Sequence, residues 1–145
     1  MKYLIYTDGA HSTANRRISV GYIIKTWDTL ITSGAAALDG DDISIAEALA
    51  IGVAVNSLLA KEKLDKKKDV VIIITDSLFA IEKFSNVAEN PEKDFGNAKL
   101  NAVRDCLVKL SETCSWEFSK ITSHMDTINC NKYADRMAKY FLQNR

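Results

Sequence analysis

Tyr3-Leu4-Ile5-Tyr6-Thr7-Asp8-Gly9 is the stretch around which the chain is organised. Aromatic and branched apolar residues run straight into an acid, and a glycine follows. Such a run reads as a buried strand that delivers one carboxylate to its end. A carboxylate in that position is costly unless it is paired, hydrogen-bonded or bound to a metal. Read alone, Asp8 could equally be an aspartate opening a turn before glycine. A second stretch repeats the pattern. Val70-Val71-Ile72-Ile73-Ile74 shows no polar alternation, so both of its faces are expected to be covered, as in a parallel or central strand. It runs into Thr75-Asp76-Ser77, a second acid at the end of a buried strand.

The remaining elements are read outward from these two. Residues 10–17 form a polar turn. Residues 18–25 and 29–36 are two further short strands, with Trp27-Asp28 as the tight turn between them. Residues 38–42 are a loop. Ser44 stands three residues before Glu47, the spacing of a capping box. Ile45, Leu49 and Val53, with Ala46, Ala50 and Ala54, then recur at helical spacing and predict a helix over about residues 44–64. Its end runs into a lysine-rich segment, residues 61–68, which reads as a solvated helix terminus, with a nucleic-acid contact as the lesser alternative. Further on, the sequence predicts a short helix over 78–84, a loop over 85–96 and a helix over 98–111. A strand over 116–122 and a last helix from about residue 130 to 142 complete the chain. The order β-β-β-α-β-α-α-β-α predicts an α/β fold with one five-stranded mixed sheet. Three antiparallel strands come first, then parallel ones, with helices on both faces.

The 145 residues, 47 % hydrophobic and 26 % charged, suit one packed domain over the whole chain. One proline and six glycines leave no linker or low-complexity tract. No apolar run approaches the ~20 residues of a membrane span, so no membrane partner is expected. The N-terminus lacks the features of a secretory signal, and a cytoplasmic location is expected. Cys106, Cys114 and Cys130 show no CxxC spacing and read as reduced thiols, not as a disulfide frame or a zinc site. A net charge of zero argues against a protein that grips nucleic acid through bulk positive field alone. It leaves room for an enzyme with a local basic rim and an acidic, metal-filled centre.

Four acids fall where such a centre could form. Asp8 and Asp76 end the two buried strands, Glu47 lies in the first turn of the long helix, and Asp135 lies in the first turns of the last one. If the first and fourth strands are parallel neighbours, Asp8 and Asp76 stand side by side, and two carboxylates that close need compensation. A divalent cation supplies it, and oxygen-only ligation favours magnesium or manganese. Each acid also has a plainer reading. Glu47 could complete the capping box with Ser44, Asp76 could cap the following helix, and Asp135 could pair with Lys139. These readings leave the repeated Thr-Asp ending unexplained. His124, just past the last strand, titrates near neutrality when unperturbed and could move protons. It could also be a loop histidine without a role. Asn131 would share a helix face with Asp135.

Tyr6-Thr7-Asp8-Gly9, Ala46-Glu47-Ala48-Leu49, Thr75-Asp76-Ser77, His124 and Asn131-Lys132-Tyr133-Ala134-Asp135 resemble, in order and spacing, the motif series of type 1 ribonuclease H. The resemblance covers almost the whole chain. It implies a ribonuclease-H-like fold and magnesium-dependent cleavage of the RNA strand of RNA–DNA hybrids, leaving 3′-hydroxyl and 5′-phosphate ends. It implies that Asp8, Glu47, Asp76 and Asp135 hold two magnesium ions, with manganese as a substitute. By the same resemblance His124 assists proton transfer or product departure, and Ser12, Asn15, Ser44 and Asn131 lie at substrate-facing positions. Two departures stand out. Many bacterial members carry a basic, tryptophan-containing protrusion after the second helix, whereas residues 85–96 here are short and carry Glu89, Glu92 and Asp94. Leu78 and Ile43-Ser44 stand where the family frequently has amide side chains. A monomer with weak hybrid affinity, or one helped by a protein partner, is expected. A non-catalytic binding module on the same fold, or a metal nuclease acting on a different nucleic acid, is the alternative.

Overall fold

The structure, a computed structural model, describes residues 1–12, 14 and 16–120. Five strands form one sheet: β1 (Lys2–Ser12), β2 (Arg17–Lys25), β3 (Leu30–Asp39), β4 (Val70–Thr75) and β5 (Ser115–Lys120). Their spatial order is β3-β2-β1-β4-β5. The first three strands are antiparallel, and β4 and β5 join in parallel, as the element order predicts. β1 is therefore central, with β2 on one edge and β4 on the other. The β2–β3 turn closes through Thr26 N–H donating to the Thr29 carbonyl at 2.8 Å, which leaves Trp27 exposed at its tip.

Three helices accompany the sheet: α1 (Ile43–Lys61), α2 (Leu78–Phe84) and α3 (Ala98–Thr113). The core lies between α1, α3 and one face of the sheet. Tyr3 and Ile5 of β1, Ile24 of β2 and Val71 and Ile73 of β4 meet Ile51, Val55 and Leu58 of α1 and Leu107 and Leu110 of α3. Gly52 brings the two long helices close, because a Cβ there would stand 3.1 Å from Val103 Cγ2. Leu4, Tyr6, Ile72 and Ile74, on the opposite face, are half-buried. Cys106 and Cys114 are free thiols. The predicted last helix, with Cys130, lies outside the described residues, as does the end of the predicted last strand beyond Lys120.

Several boundaries depart from the sequence expectation. β1 does not stop at Gly9. It continues to Ser12 because β2 supplies a ladder partner for every residue from Thr7↔Tyr22 to Ser12↔Arg17. Backbone hydrogen bonds, indifferent to side chain, override the polar composition of residues 10–12. β3 likewise reaches Asp39, which pairs with Arg17. The helix cap is Asp42, whose carboxylate accepts from Ser44 N–H and Ile45 N–H, so Ser44 sits inside the first turn and the capping box with Glu47 does not form. Glu47 accordingly lies just beyond the first turn. α1 ends at Lys61, and the Asp65 carboxylate folds the following lysines into a turn by accepting from Lys67 N–H and Lys68 N–H. Finally, α1 is long and apolar enough, by length and composition alone, to cross a membrane, contrary to the expectation that no such stretch exists. Here Ala46, Ala48, Ala50, Ile51, Gly52, Ala54, Val55 and Leu58 are buried against sheet and helix.

Candidate functional site

Parallel pairing of β1 with β4 ends at Tyr6↔Ile74. Two residues further along each chain segment stand Asp8, still within β1, and Asp76, just past the end of β4. From there the chains diverge. β1 runs on beside β2, with Asp8 opposite Gly21, whereas β4 stops at Thr75 and turns into α2. The two acids thus emerge together where the sheet opens, at the carboxyl end of its central parallel strands, a place where such sheets gather ligands.

α1 brings the third acid. It crosses β1 at Gly9, where a Cβ would lie 2.7 Å from both the Ala46 carbonyl carbon and the Glu47 amide nitrogen. Only a residue without a side chain lets the helix approach this closely. The approach carries Glu47 to the strand ends, and ligand oxygens of Asp8, Glu47 and Asp76 all lie within 4.8 Å of one another. Asp8 is 8 % exposed and its Oδ1 accepts from Gly9 N–H at 2.9 Å. Glu47 is half-buried and Asp76 exposed, so the cluster is graded from sheet interior to solvent.

Electrostatics follow from that gradient. Burial pushes the Glu47 carboxyl above its ordinary value, the neighbouring Ser77 side chain pulls it partly back, and the charge of Asp76 pushes it up again. Three carboxylates gathered this closely repel, and a hard divalent cation is the counter-charge that an all-oxygen set fits. The donor set therefore suits magnesium or manganese and offers no soft ligand for zinc or copper.

The plainer readings of two acids fall away. The cap of α2 is Ser77, whose Oγ accepts from Ala80 N–H at 3.1 Å, so Asp76 is not spent on capping. The cap of α1 is Asp42, so Glu47 is not spent on a capping box. Ser12 lies at the end of β1, opposite Arg17, and Ser44 in the first turn of α1. Asp135, His124, Asn131 and Asn15 lie outside the described residues. Sequence reasoning did not single out Gly9 and Ser77 as parts of the site. The signal for Gly9 was its position directly after the acid. Ser77 stood in the quoted Thr75-Asp76-Ser77 motif without a role.

The whole fold has known counterparts. RNase H1 of the halophilic archaeon Halobacterium salinarum superposes with a TM-score of 0.72 at 17 % identity, covering 100 % of both chains. The N-terminal RNase H domain of a Mycobacterium tuberculosis protein, solved as a fusion with maltose-binding protein, gives 0.71 at 15 % identity, covering 99 % of this chain and 94 % of that one. The protease–reverse transcriptase of prototype foamy virus gives 0.67 at 18 % identity, covering 96 % of this chain and 20 % of that one. No significant match was found among curated protein sequences. At these identities the superpositions show a shared fold. The RNase H family model, by contrast, matches the sequence itself over residues 1–143, and on that match the chain belongs to the RNase H family.

Proposed function

We propose that this chain is a metal-dependent endonuclease that hydrolyses the RNA strand of RNA–DNA hybrids, leaving 5′-phosphate and 3′-hydroxyl ends. The observation that carries the reading is the convergence of Asp8, Glu47 and Asp76, from two strands and a helix, within 4.8 Å. Asp8, Glu47 and Asp76, with Asp135, would hold two magnesium ions, manganese being able to replace them. When bound there, such ions supply positive charge to the attacking water and to the leaving 3′-oxygen. The protein's own part is positional. β1 holds Asp8 at a fixed depth, α1 holds Glu47 across from it, and Asp76 stands at the solvent edge where a phosphodiester can approach. His124 would carry the proton to or from the product, and Ser12, Asn15, Ser44 and Asn131 would line the path of the hybrid.

A specific observation supports weak substrate grip. Leu78, at the start of α2 beside Asp76, is 53 % exposed and offers the nucleic acid no hydrogen bond. The segment between α2 and α3 is also tied down, not extended toward a ligand. Phe95 N–H donates to Asn101 Oδ1 at 2.9 Å, Arg104 Nη1 donates to the Lys93 carbonyl at 2.7 Å, and the Phe95 ring packs edge-on against Phe84. These features also favour, as a second reading, a related metal nuclease that acts on a different nucleic acid. Labelled RNA–DNA hybrid, duplex RNA and duplex DNA, each incubated with and without magnesium, separate the two. The hybrid is expected to be cut only with the metal. A duplex cut under conditions that spare the hybrid overturns the hybrid reading. Asp8→Asn is expected to lower hybrid cleavage by roughly three powers of ten or more, since several kcal/mol of charge stabilisation depend on the ion it holds.

A further inference from the structure

We propose that the end of the sheet opposite the acidic cluster binds single-stranded nucleic acid, with Trp27 as a stacking platform and the lysines after α1 as phosphate contacts. The two ends lie far apart. From Lys2 to Asp8, β1 rises about 20 Å. Three chain segments meet at the Lys2 end. Val70 N–H donates to the Met1 carbonyl at 2.9 Å, and the Met1 ammonium donates to the Lys68 carbonyl at 2.7 Å. These bonds tie the segment between α1 and β4 to the start of β1. On the other side of β1, Lys25 of β2 pairs with Leu4, so the β2–β3 turn projects past the same end.

Charge at this end is one-sided. Residues 61–68 carry Lys61, Lys63, Lys66, Lys67 and Lys68 against Glu62 and Asp65. Cations near a helix C-terminus answer its last carbonyls, but the effect fades beyond the last turn, and only Lys61 lies in it. The other four lysines follow the helix and are exposed. The nearby acids are tied to backbone amides and to the N-terminus. The Asp65 carboxylate accepts from Lys67 N–H at 2.8 Å and Lys68 N–H at 3.2 Å. The Asp69 carboxylate accepts from Asp65 N–H at 2.7 Å and pairs with the Met1 ammonium at 3.1 Å. None of the five lysines forms a salt bridge with another described residue. A chain of net charge zero thus carries a local cationic rim at the end remote from its acidic centre.

The β2–β3 turn adds an aromatic face. Trp27 is 86 % exposed, and Leu30, opposite Lys25, is exposed as well. The acid of the turn, Asp28, is held by the Thr29 hydroxyl, which donates to it at 3.1 Å. Charge complementarity to the lysines calls for a polyanion, and the indole decides which one. A bare ring stacks on an unpaired base, whereas the bases of a duplex are already stacked on one another. The carboxylates of an acidic peptide give the indole nothing to stack on.

The inference goes beyond the nuclease reading and does not depend on it, because its test uses DNA and chelator and reads no cleavage. Fluorescein-labelled oligothymidylate is titrated with wild type, Trp27→Ala and Lys66→Ala/Lys67→Ala, with anisotropy read at several salt concentrations. With Lys63, Lys66, Lys67 and Lys68 on phosphates, log affinity is expected to fall against log salt with a slope of about −3. Trp27→Ala is expected to bind about 5- to 100-fold more weakly with that slope unchanged. The double lysine variant should bind more weakly with the slope reduced by about 1.4. Oligothymidylate should also quench tryptophan fluorescence in wild type and leave it unquenched in Trp27→Ala. No binding at low salt, or equal binding by all three proteins, overturns the site. Labelled polyglutamate bound as tightly as the DNA, with the same loss in Trp27→Ala, overturns the nucleic-acid assignment and makes the surface a peptide site. The expected pattern in a protein that cuts no hybrid supports this site and sinks only the nuclease reading.

Discussion

Thr7-Asp8 lies inside a strand that continues four residues further, whereas Thr75-Asp76 closes its strand and leads at once into a helix. The same dipeptide is thus held in two ways. Asp8 is gripped by the antiparallel ladder of β2 and by Gly9 N–H, and it is nearly buried. Asp76 is gripped by a turn and sits in solvent. The threonines differ as well. Thr75 Oγ1 accepts from Ser77 N–H and so builds the turn. Thr7 Oγ1 is fully buried and, among the described residues, has no hydrogen-bond partner. One acid is fixed by the sheet, the other by local side-chain chemistry, and Glu47 on α1 answers to both. The cluster thus combines one carboxylate held rigidly in the sheet with one open to solvent.

Removing the close approach of α1 to β1 should break the arrangement most severely. In Gly9→Ala the new methyl meets backbone atoms of Ala46 and Glu47 at 2.7 Å, and neither can rotate away. Overpacking of this sort costs about 1–3 kcal/mol, occasionally more. Urea unfolding should show that loss. Helix α1 must shift to make room, and a misplacement of about 1 Å can cost on the order of 100-fold in rate. Hybrid cleavage is expected to fall by about that much. An active, fully stable Gly9→Ala protein would mean that α1 and β1 are not in the contact described.

The two threonines give a sharper test because the signs are opposite. Thr75→Val removes the acceptor of Ser77 N–H inside a nearly closed turn, with a loss of about 1–2 kcal/mol. Thr7→Val replaces an unsatisfied buried hydroxyl by a methyl of the same shape, with a gain of about 1 kcal/mol. Chemical denaturation of the two variants beside wild type measures both. Equal effects of the same sign would mean that the two strand ends are held alike.

Much of this was legible in the sequence, for a physical reason. The runs Tyr3–Tyr6 and Val70–Ile74 are apolar because they are central strands, and α2 was read with its observed bounds, Leu78–Phe84. The meeting of Asp8 and Asp76 followed once parallel neighbours were assumed. What failed depended on partners distant in sequence. The extension of β1 through Ala10, His11 and Ser12 is a property of β2, not of those residues. The capping box expected at Ser44-x-x-Glu47 does not form because Asp42, two residues before Ser44, is an equally good cap signal, and only the entry angle of the chain decides between them. Gly9 reads as a turn residue until α1 is seen lying across it.

The weakest effect expected concerns the acid that links the two strand ends. Burial, reinforced by the Asp76 charge, raises the Glu47 carboxyl above its value in the unfolded chain. In metal-free protein, folding therefore favours the protonated form. The contribution of Glu47 to stability is fully present below its ordinary value of 4.5 and is lost as pH rises through the raised value. Glu47→Gln keeps the shape of the side chain and removes the ionisation. With chelator present, the variant should match wild type in acid and become the more stable of the two as pH approaches 7, by less than the threonine effects because Glu47 is only half-buried. Magnesium should then raise the Tm of wild type at pH 7 and leave that of Glu47→Gln nearly unchanged. The order would invert if the three carboxylates were not neighbours: the glutamine would confer no advantage at any pH. Both Thr-Asp segments would then be anchored as described yet converge on nothing.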